Sequence, residues 1–141
     1  MSALTSNQAL SLINTAFAAA RAKGYKPMGV VVVDAAGQIK AAAREDGASA
    51  LRIDIASGKA CAAVGMGVSS RVLTQRAKDL PAFFISLASA SSQKFLPQTG
   101  AVLILDADGR TIGAAGASGG TGDEDEEICI AGIASLGLRH G

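Results

Sequence analysis

A few charged and hydroxyl side chains have the types needed to bind and transform a carboxylate-bearing small molecule. Cations would anchor the anionic group, backbone N–H donors would stabilise developing negative charge, and a carboxylate or an amine would move a proton. This set is typical of an isomerase, lyase or hydrolase that needs no cofactor. The candidate catalytic residues are Lys59, Asp125 and Glu126, and the candidate ligand-binding residues are Arg44, Lys59, Ser118, Gly119 and Gly120.

The stretch 113–127 must position most of these groups, and its pattern predicts a strand, a glycine-rich turn and then a helix. Thr121 and Asp123 are good N-cap residues, and acidic residues in the first turn suit the positive end of the helix dipole. Such a turn can hold an anion. The neighbouring acidic residues would repel a phosphate. The turn is therefore expected either to bind a small carboxylate or to cap the helix without any ligand. Five consecutive carboxylates point around a helix, so we predict no metal site.

The two candidate cations each have a structural alternative. Lys59 lies in the middle of a predicted helix that is apolar nearly all round, so it must reach water, pair with a carboxylate or meet a ligand. Arg44 lies at the end of a predicted strand, where a guanidinium can bind a carboxylate of a ligand. It could equally be solvated, or pair internally with Asp46.

The composition argues against several classes of partner. The 141 residues fit a single domain, residues 1–141, and the net charge of +1 gives no electrostatic footprint for nucleic acid or an anionic membrane. No apolar run approaches the roughly 20 residues of a membrane span, and the first residues lack a secretory signal pattern. We therefore expect a cytoplasmic protein with reduced cysteines.

Abundant alanine and 17 glycines with few charges indicate close helix–sheet contacts and a homo-oligomer.

Hydrophobic periodicity and turn residues predict an α+β fold with helices against an antiparallel sheet. Thr5 and Gln8 have capping-box spacing. The segment 30–37 resembles 102–109, which predicts two hairpins in one sheet. The predicted elements are a helix from Thr5 to about residue 23, strands 30–33 and 38–44, helices 48–66 and 69–77, a short strand or irregular segment 82–92, strands 101–105 and 111–117, and a helix 123–136.

Several motifs in series resemble the GlcG/HbpS family, whose module also forms the C-terminal domain of PduO-type proteins. They are Val-Val-Val-Asp-Ala-Ala-Gly at 31–37, Arg-Glu-Asp-Gly-Ala at 44–48, Lys59-Ala60, Ile-Gly-Ala-Ala-Gly-Ala-Ser-Gly-Gly at 112–120, and the pair Asp125-Glu126. The resemblance covers about residues 4–136. It implies a profilin- or roadblock-like antiparallel sheet with helices on both faces, oligomeric assembly, and a small ligand that in some members is haem, with haem degradation or a redox response.

The residues that could hold a haem iron are few in this chain. Iron is usually held by His, Cys, Met or Tyr. The only histidine, His140, is near the end of the sequence, where we do not expect an ordered axial site. The resemblance thus favours haem binding, whereas the side chains favour a carboxylate-bearing metabolite; an oligomeric structural or regulatory module is a third alternative. The possible substitutes for histidine are Tyr25, Met28, Met66, Cys61 and Cys129.

Overall fold

The computed structural model of the chain describes residues 3–92 and 94–141. Within those ranges no helix combines the length and the apolar character needed to cross a membrane. The elements in order are α1 (Ser6–Ala22), β1 (Gly29–Asp34), β2 (Ile39–Arg44), α2 (Arg52–Met66), α3 (Ser70–Asp79), α4 (Pro81–Ala90), β3 (Ala101–Leu105), β4 (Thr111–Ser118), α5 (Gly122–Ser135) and β5 (Arg139–His140).

The five strands form one antiparallel sheet in the order β2-β1-β4-β3-β5. The two predicted hairpins, β1-β2 and β3-β4, are joined through β1 and β4. Their turns have the same construction, because Asp34 and Asp106 each accept two backbone N–H bonds through Oδ1 and each turn ends at a glycine with φ near +80°. The predicted α+β architecture with an antiparallel sheet is confirmed.

Helices cover both faces of the sheet, and the alternation of side chains along β1 assigns each face. Val30 and Val32 pack with α1 and α5, whereas Val31 and Val33 pack with alanines of α2. A third apolar cluster joins α2 to α3 and α4 through Leu73 and Phe84. Because β1 is covered on both sides, its unbroken valine run is buried throughout.

The close approach of α2 to β4 depends on small residues. A Cβ on Gly116 would lie 2.3 Å from the carbonyl oxygen of Ala56, so only glycine fits at this point of β4. Ala56 and Ala60 of α2 complete the contact and are fully buried. The abundance of alanine and glycine therefore serves helix–sheet packing, and it brings Lys59 of α2 close to the end of β4.

Three segments differ from the sequence predictions. The segment 82–92, predicted as a short strand or irregular, contains most of helix α4, which begins with Pro81 in its first turn, where proline is well tolerated. Helix α2 begins at Arg52 rather than at residue 48, and a turn at Gly47, with φ of +85°, precedes the segment 48–51. His140 belongs to an edge strand, β5, which the sequence did not predict.

Candidate functional site

A cavity of about 460 Å³ lies where α2, the loop before β3 and the start of α5 meet. We call it the Lys59 cavity. It contains the predicted residues Lys59, Ser118, Gly120 and Asp125 at neighbouring positions. Its remaining walls are Arg52, Ile55, Leu96, Gln98, Thr99, Thr121, Gly122 and Asp123.

A buried ion pair forms the deep wall of this cavity. Lys59 Nζ lies 3.0 Å from Asp125 Oδ2 and also donates to the carbonyl oxygen of Ala117 at 3.0 Å. The two side chains are only 6% and 3% exposed. Asp125 Oδ1 accepts the N–H of Gly120 at 3.0 Å. Burial raises the pKa of the Asp125 carboxyl, although the charge of Lys59 works in the opposite direction.

Gly100 makes room for this pair, because a Cβ there would lie 2.6 Å from Lys59 Nζ and 3.0 Å from the Cβ of Asp125. Its φ of +136° is also a backbone conformation that other residues rarely adopt. Both observations favour glycine at this position. Gly100 therefore belongs to the support of the site, a role that the sequence analysis did not identify.

Arg52 is a residue of the Lys59 cavity that the sequence did not predict. Its guanidinium donates to Ser118 Oγ at 3.1 Å and stands half-buried at the cavity. Among the residues that the structure describes, no carboxylate lies within 4.0 Å of it. Arg52 and Lys59 are seven residues apart, so both lie on one side of α2. That spacing is the signal that could have identified it.

Several backbone donors of the glycine-rich turn after β4 are used within the protein. The N–H of Gly120 binds Asp125, and Thr121 and Glu124 form a capping box at the start of α5. Gly119 has φ of +149°, and a Cβ there would lie 2.4 Å from the carbonyl oxygen of Pro27. The turn is therefore built for close packing and helix capping, and the ligand-binding roles predicted for Gly119 and Gly120 stay predictions.

Two of the predicted residues lie away from the Lys59 cavity. Arg44 is exposed, donates to the carbonyl oxygen of Ala48 at 2.8 Å, and lines a separate depression near Glu45. Glu126 accepts hydrogen bonds from Nε and from one terminal nitrogen of Arg71. Asp125 lines the Lys59 cavity, whereas Glu126 lines a different depression of the surface. Their predicted roles remain untested.

A second depression, of about 450 Å³, lies between α3, α5 and the strands β3 and β5. We call it the β5 groove. Its walls are mainly aliphatic, and His140 stands at its edge. The backbone of His140 is paired with Ile104 across the sheet, and its side chain is exposed. The groove is lined by Gly67, Val68, Ser69, Arg71, Val72, Val102, Leu103, Glu126, Ile130, His140 and Gly141.

The other candidate iron ligands are largely engaged. Tyr25 donates its hydroxyl to Glu127 at 2.8 Å, and Met28 is fully buried in the core. Burial raises the pKa of the Cys129 thiol, and Cys61 Sγ lies 3.5 Å from the carbonyl oxygen of Gly37. Met66 is half-buried at the end of α2. None of the five lines the Lys59 cavity or the β5 groove.

Comparisons with known proteins agree with this architecture. A model of an HbpS-like family, described as haem-degrading proteins, matches residues 4–134. The crystal structure of a PduOC–heme complex is similar with a TM-score of 0.85 and 27% identity, covering 98% of each chain. A double mutant of HbpS from Streptomyces reticuli gives a TM-score of 0.82 and 28% identity, covering 96% of this chain and 88% of that one.

A further solved structure shares the fold at lower identity. The Klebsiella pneumoniae protein ORFY gives a TM-score of 0.83 at 22% identity, covering 94% of this chain and 90% of that one. This likeness concerns the fold alone. No protein with a curated description matches the chain.

Proposed function

The chain belongs to the HbpS-like family, and on that premise we propose that it is a small-ligand-binding protein whose ligand carries a carboxylate. The Lys59 cavity is the proposed binding site. The observation that carries this proposal is Arg52, a guanidinium at the cavity with no carboxylate within 4.0 Å among the described residues.

The physical argument rests on what each group could offer a ligand. A guanidinium binds a carboxylate through two parallel hydrogen bonds, and the hydroxyl of Ser118 beside it can contribute a further donor. Lys59 and Asp125 already satisfy each other, so the deep wall carries no uncompensated charge that would have to be desolvated. Gln98 and Thr99 add neutral polar groups that can fix the orientation of a ligand.

A panel of small mono- and dicarboxylic acids, followed by thermal unfolding, tests this proposal. An acid present at 100 times its dissociation constant should stabilise the protein by about 2.7 kcal/mol. Arg52→Gln should abolish that stabilisation. Arg110→Gln, at an exposed arginine of the β3-β4 turn, is the matched control and should retain it.

Equal stabilisation of both variants would place the ligand elsewhere and contradict the proposal. No stabilisation of the wild-type protein by any acid would also contradict it, and would favour an assembly module without a ligand.

Haem is the second candidate ligand, and the observation that favours it is the likeness to the PduOC–heme complex over 98% of both chains. Haem binding would supply a redox-active iron, and with it the redox response expected from the family resemblance. A hemin titration followed by visible absorption tests this candidate. A saturable shift of the Soret band supports haem binding, whereas weak, featureless adsorption argues against it.

A cofactor-independent enzyme is the third candidate, favoured by the position of Lys59 and Asp125 in the same cavity as Arg52. In this scheme the Asp125 carboxylate takes a proton from carbon next to the substrate carboxylate, and Lys59 and Arg52 stabilise the resulting enolate. Incubation of each bound acid in deuterated water, followed by NMR, would detect exchange of that proton. Exchange that persists unchanged in Asp125→Asn would refute this role.

Homo-oligomer formation and a cytoplasmic location stay predictions of the sequence. The exposed side chains of Leu80, Phe83 and Ile85 on and next to α4 support self-association, because apolar surface of this kind is often covered by a partner. Light scattering of the wild-type protein and of Ile85→Glu would measure it. A monomer at all concentrations would contradict the prediction.

A further inference from the structure

The β5 groove combines an aliphatic surface with a single imidazole. Val68, Val72, Val102, Leu103 and Ile130 form its walls, and His140 is the one histidine in the sequence. An aliphatic wall attracts a flat apolar ring through burial and dispersion, and an imidazole is a common axial ligand of haem iron. The Lys59 cavity, by contrast, is lined by no His, Cys, Met or Tyr side chain from residues 3–92 and 94–141. The two depressions therefore suit different ligands.

His140 is held in place by backbone and hydroxyl contacts around it. Strand β5 pairs with β3, and the N–H of Gly141 donates to the carbonyl oxygen of Leu103 at 3.0 Å. Ser69 Oγ bridges the same region, since it accepts the N–H of Leu103 at 3.1 Å and donates to the carbonyl oxygen of Gly141 at 2.9 Å. The backbone that carries the imidazole is thus fixed at the groove.

The two ring nitrogens of His140 have different surroundings. Nδ1 lies 3.4 Å from the carbonyl oxygen of Gly141. A proton on Nδ1, directed toward this oxygen, leaves the lone pair on Nε2, which is the arrangement that metal-binding histidines commonly use. The side chain is exposed, so Nε2 can reach an iron without any core residue having to move.

We propose that the β5 groove seats a haem, with His140 Nε2 as the axial ligand of the iron. This inference rests on the haem binding proposed for the chain. The residues present fit the group, because the groove offers an apolar wall and an exposed imidazole together. A bound haem would supply redox chemistry, whereas the chain supplies the imidazole and the surface that covers one side of the ring.

Charge at one end of the groove would disfavour the propionates of a bound haem at that end. Arg71 is bound to both Asp123 and Glu126, so this cluster carries two negative charges and one positive charge. The remaining negative charge repels the propionates, which we therefore expect to point away from Glu126 and toward water. Arg71 is not the propionate anchor in this arrangement.

Hemin titration of four proteins tests the proposal: the wild type, His140→Ala, Val72→Glu and Ile39→Glu. Val72 is 42% exposed in the groove, and a carboxylate there would be desolvated by a bound porphyrin. Ile39 is 55% exposed on the outer strand β2 and is the matched control for that change. Circular dichroism of each variant verifies that the fold is kept.

The expected result is a saturable Soret shift in the wild type and in Ile39→Glu. In His140→Ala the spectrum of axial imidazole coordination should be lost, and free imidazole added to this variant should restore it. Val72→Glu should weaken hemin binding by about ten-fold or more, which corresponds to about 1.4 kcal/mol.

The contradicting results are distinguishable from one another. If the wild type gives no saturable shift, the haem binding proposed for the chain fails. If His140→Ala keeps the wild-type spectrum, haem binds but His140 is not its ligand, and the present inference is overturned. If Ile39→Glu weakens binding as much as Val72→Glu, the groove is not the seat of the ring.

Discussion

Asp125 and Glu126 are adjacent in the first turns of α5, yet they occupy opposite environments. The Asp125 side chain is 3% exposed and pairs with an equally buried Lys59. The Glu126 side chain is 18% exposed and shares Arg71, itself 54% exposed, with Asp123, which is 80% exposed. The Lys59–Asp125 pair is therefore surrounded by protein, whereas the Arg71 cluster is open to water through Arg71 and Asp123.

This difference shows that the contribution of an ion pair to stability depends more on its surroundings than on the charges it contains. In water an ion pair contributes little, because both partners are well solvated when apart. In the interior, removal of one partner leaves a buried charge uncompensated, which is costly. Chemistry that requires a displaced pKa is consequently expected at Asp125, where burial raises the pKa.

The largest effect is expected from Lys59→Met, which removes one partner of the buried pair. Asp125 would keep the N–H of Gly120 but lose its counter-charge, so the free energy of unfolding should fall by about 3–5 kcal/mol. Urea denaturation followed by circular dichroism measures this. The double variant Lys59→Met with Asp125→Leu should recover most of the loss. A loss below about 1 kcal/mol in the single variant would mean that the pair behaves like a surface pair.

A smaller loss is expected from Gly100→Ala, which disturbs the same pair through packing. The new Cβ would crowd Lys59 Nζ and the Cβ of Asp125 in a backbone conformation with positive φ, at a cost of about 1–3 kcal/mol. Gly109→Ala is the control, because Gly109 also has positive φ but nothing lies within 4 Å of its Cβ position. If urea denaturation shows the same loss of unfolding free energy for both variants, the contact between the new Cβ and the ion pair does not affect stability.

The pH dependence of stability should differ between the buried and the exposed carboxylates. Because burial raises the pKa of Asp125 in the folded state, the folded protein binds this proton more tightly than the unfolded chain does. The contribution of Asp125 to stability is therefore fully present below its ordinary pKa of 3.8 and is lost as pH rises through the raised value. This loss of unfolding free energy with rising pH should be smaller than the loss caused by Lys59→Met, because Lys59 offsets part of the cost of burying the Asp125 charge.

Asp125→Asn removes this pH dependence, and the comparison with the wild type isolates it. Glu127 should change stability with pH in the opposite direction, because its hydrogen bonds to Lys23 and Tyr25 lower its pKa. Its contribution is present above its ordinary pKa of 4.5 and is lost as pH falls. Denaturation of Asp125→Asn and Glu127→Gln across the acid range measures both. Parallel curves for the wild type and Asp125→Asn would contradict the assignment.

The smallest effect is expected from Arg71→Met in the surface cluster. Arg71 and one of its partners, Asp123, are well exposed to water, so the loss in unfolding free energy should be only about 1 kcal/mol. Because salt screens exposed charges, this loss should shrink further at high ionic strength. Urea denaturation at low and high salt measures it. A loss as large as that of Lys59→Met would remove the contrast between the two pairs.

Local features of the fold were predictable because they depend on residues close in sequence. The capping boxes at Thr5 and Thr121 and the two aspartate–glycine turns require no distant contact. The segment of α4 was not predictable in the same way. An apolar run without charges suits a strand or a helix equally, and its packing through Phe84 against α2 and α3 accompanies the helical conformation.

The candidate site was predictable only in its residue types. Lys59, Ser118, Gly120 and Asp125 were named from their chemistry, and the fold brings them into one cavity. Arg44 was named by the same reasoning and lies elsewhere, because β2 is the outer strand of the sheet. Arg52 was missed, although its spacing of seven residues from Lys59 places both on one side of the predicted helix. The roles of all these residues await the experiments above.

The sequence by itself determined the helix caps, the hairpin turns, the valine strand buried on both faces and the family. Each follows from short-range stereochemistry, from the period of apolar residues, or from motifs in series. The tertiary structure alone decided that Lys59 meets Asp125, 66 residues away, and that His140 is fixed beside an aliphatic groove. Those contacts depend on the order of strands in the sheet and on which side of α5 each carboxylate faces, and the packing of the whole chain sets both.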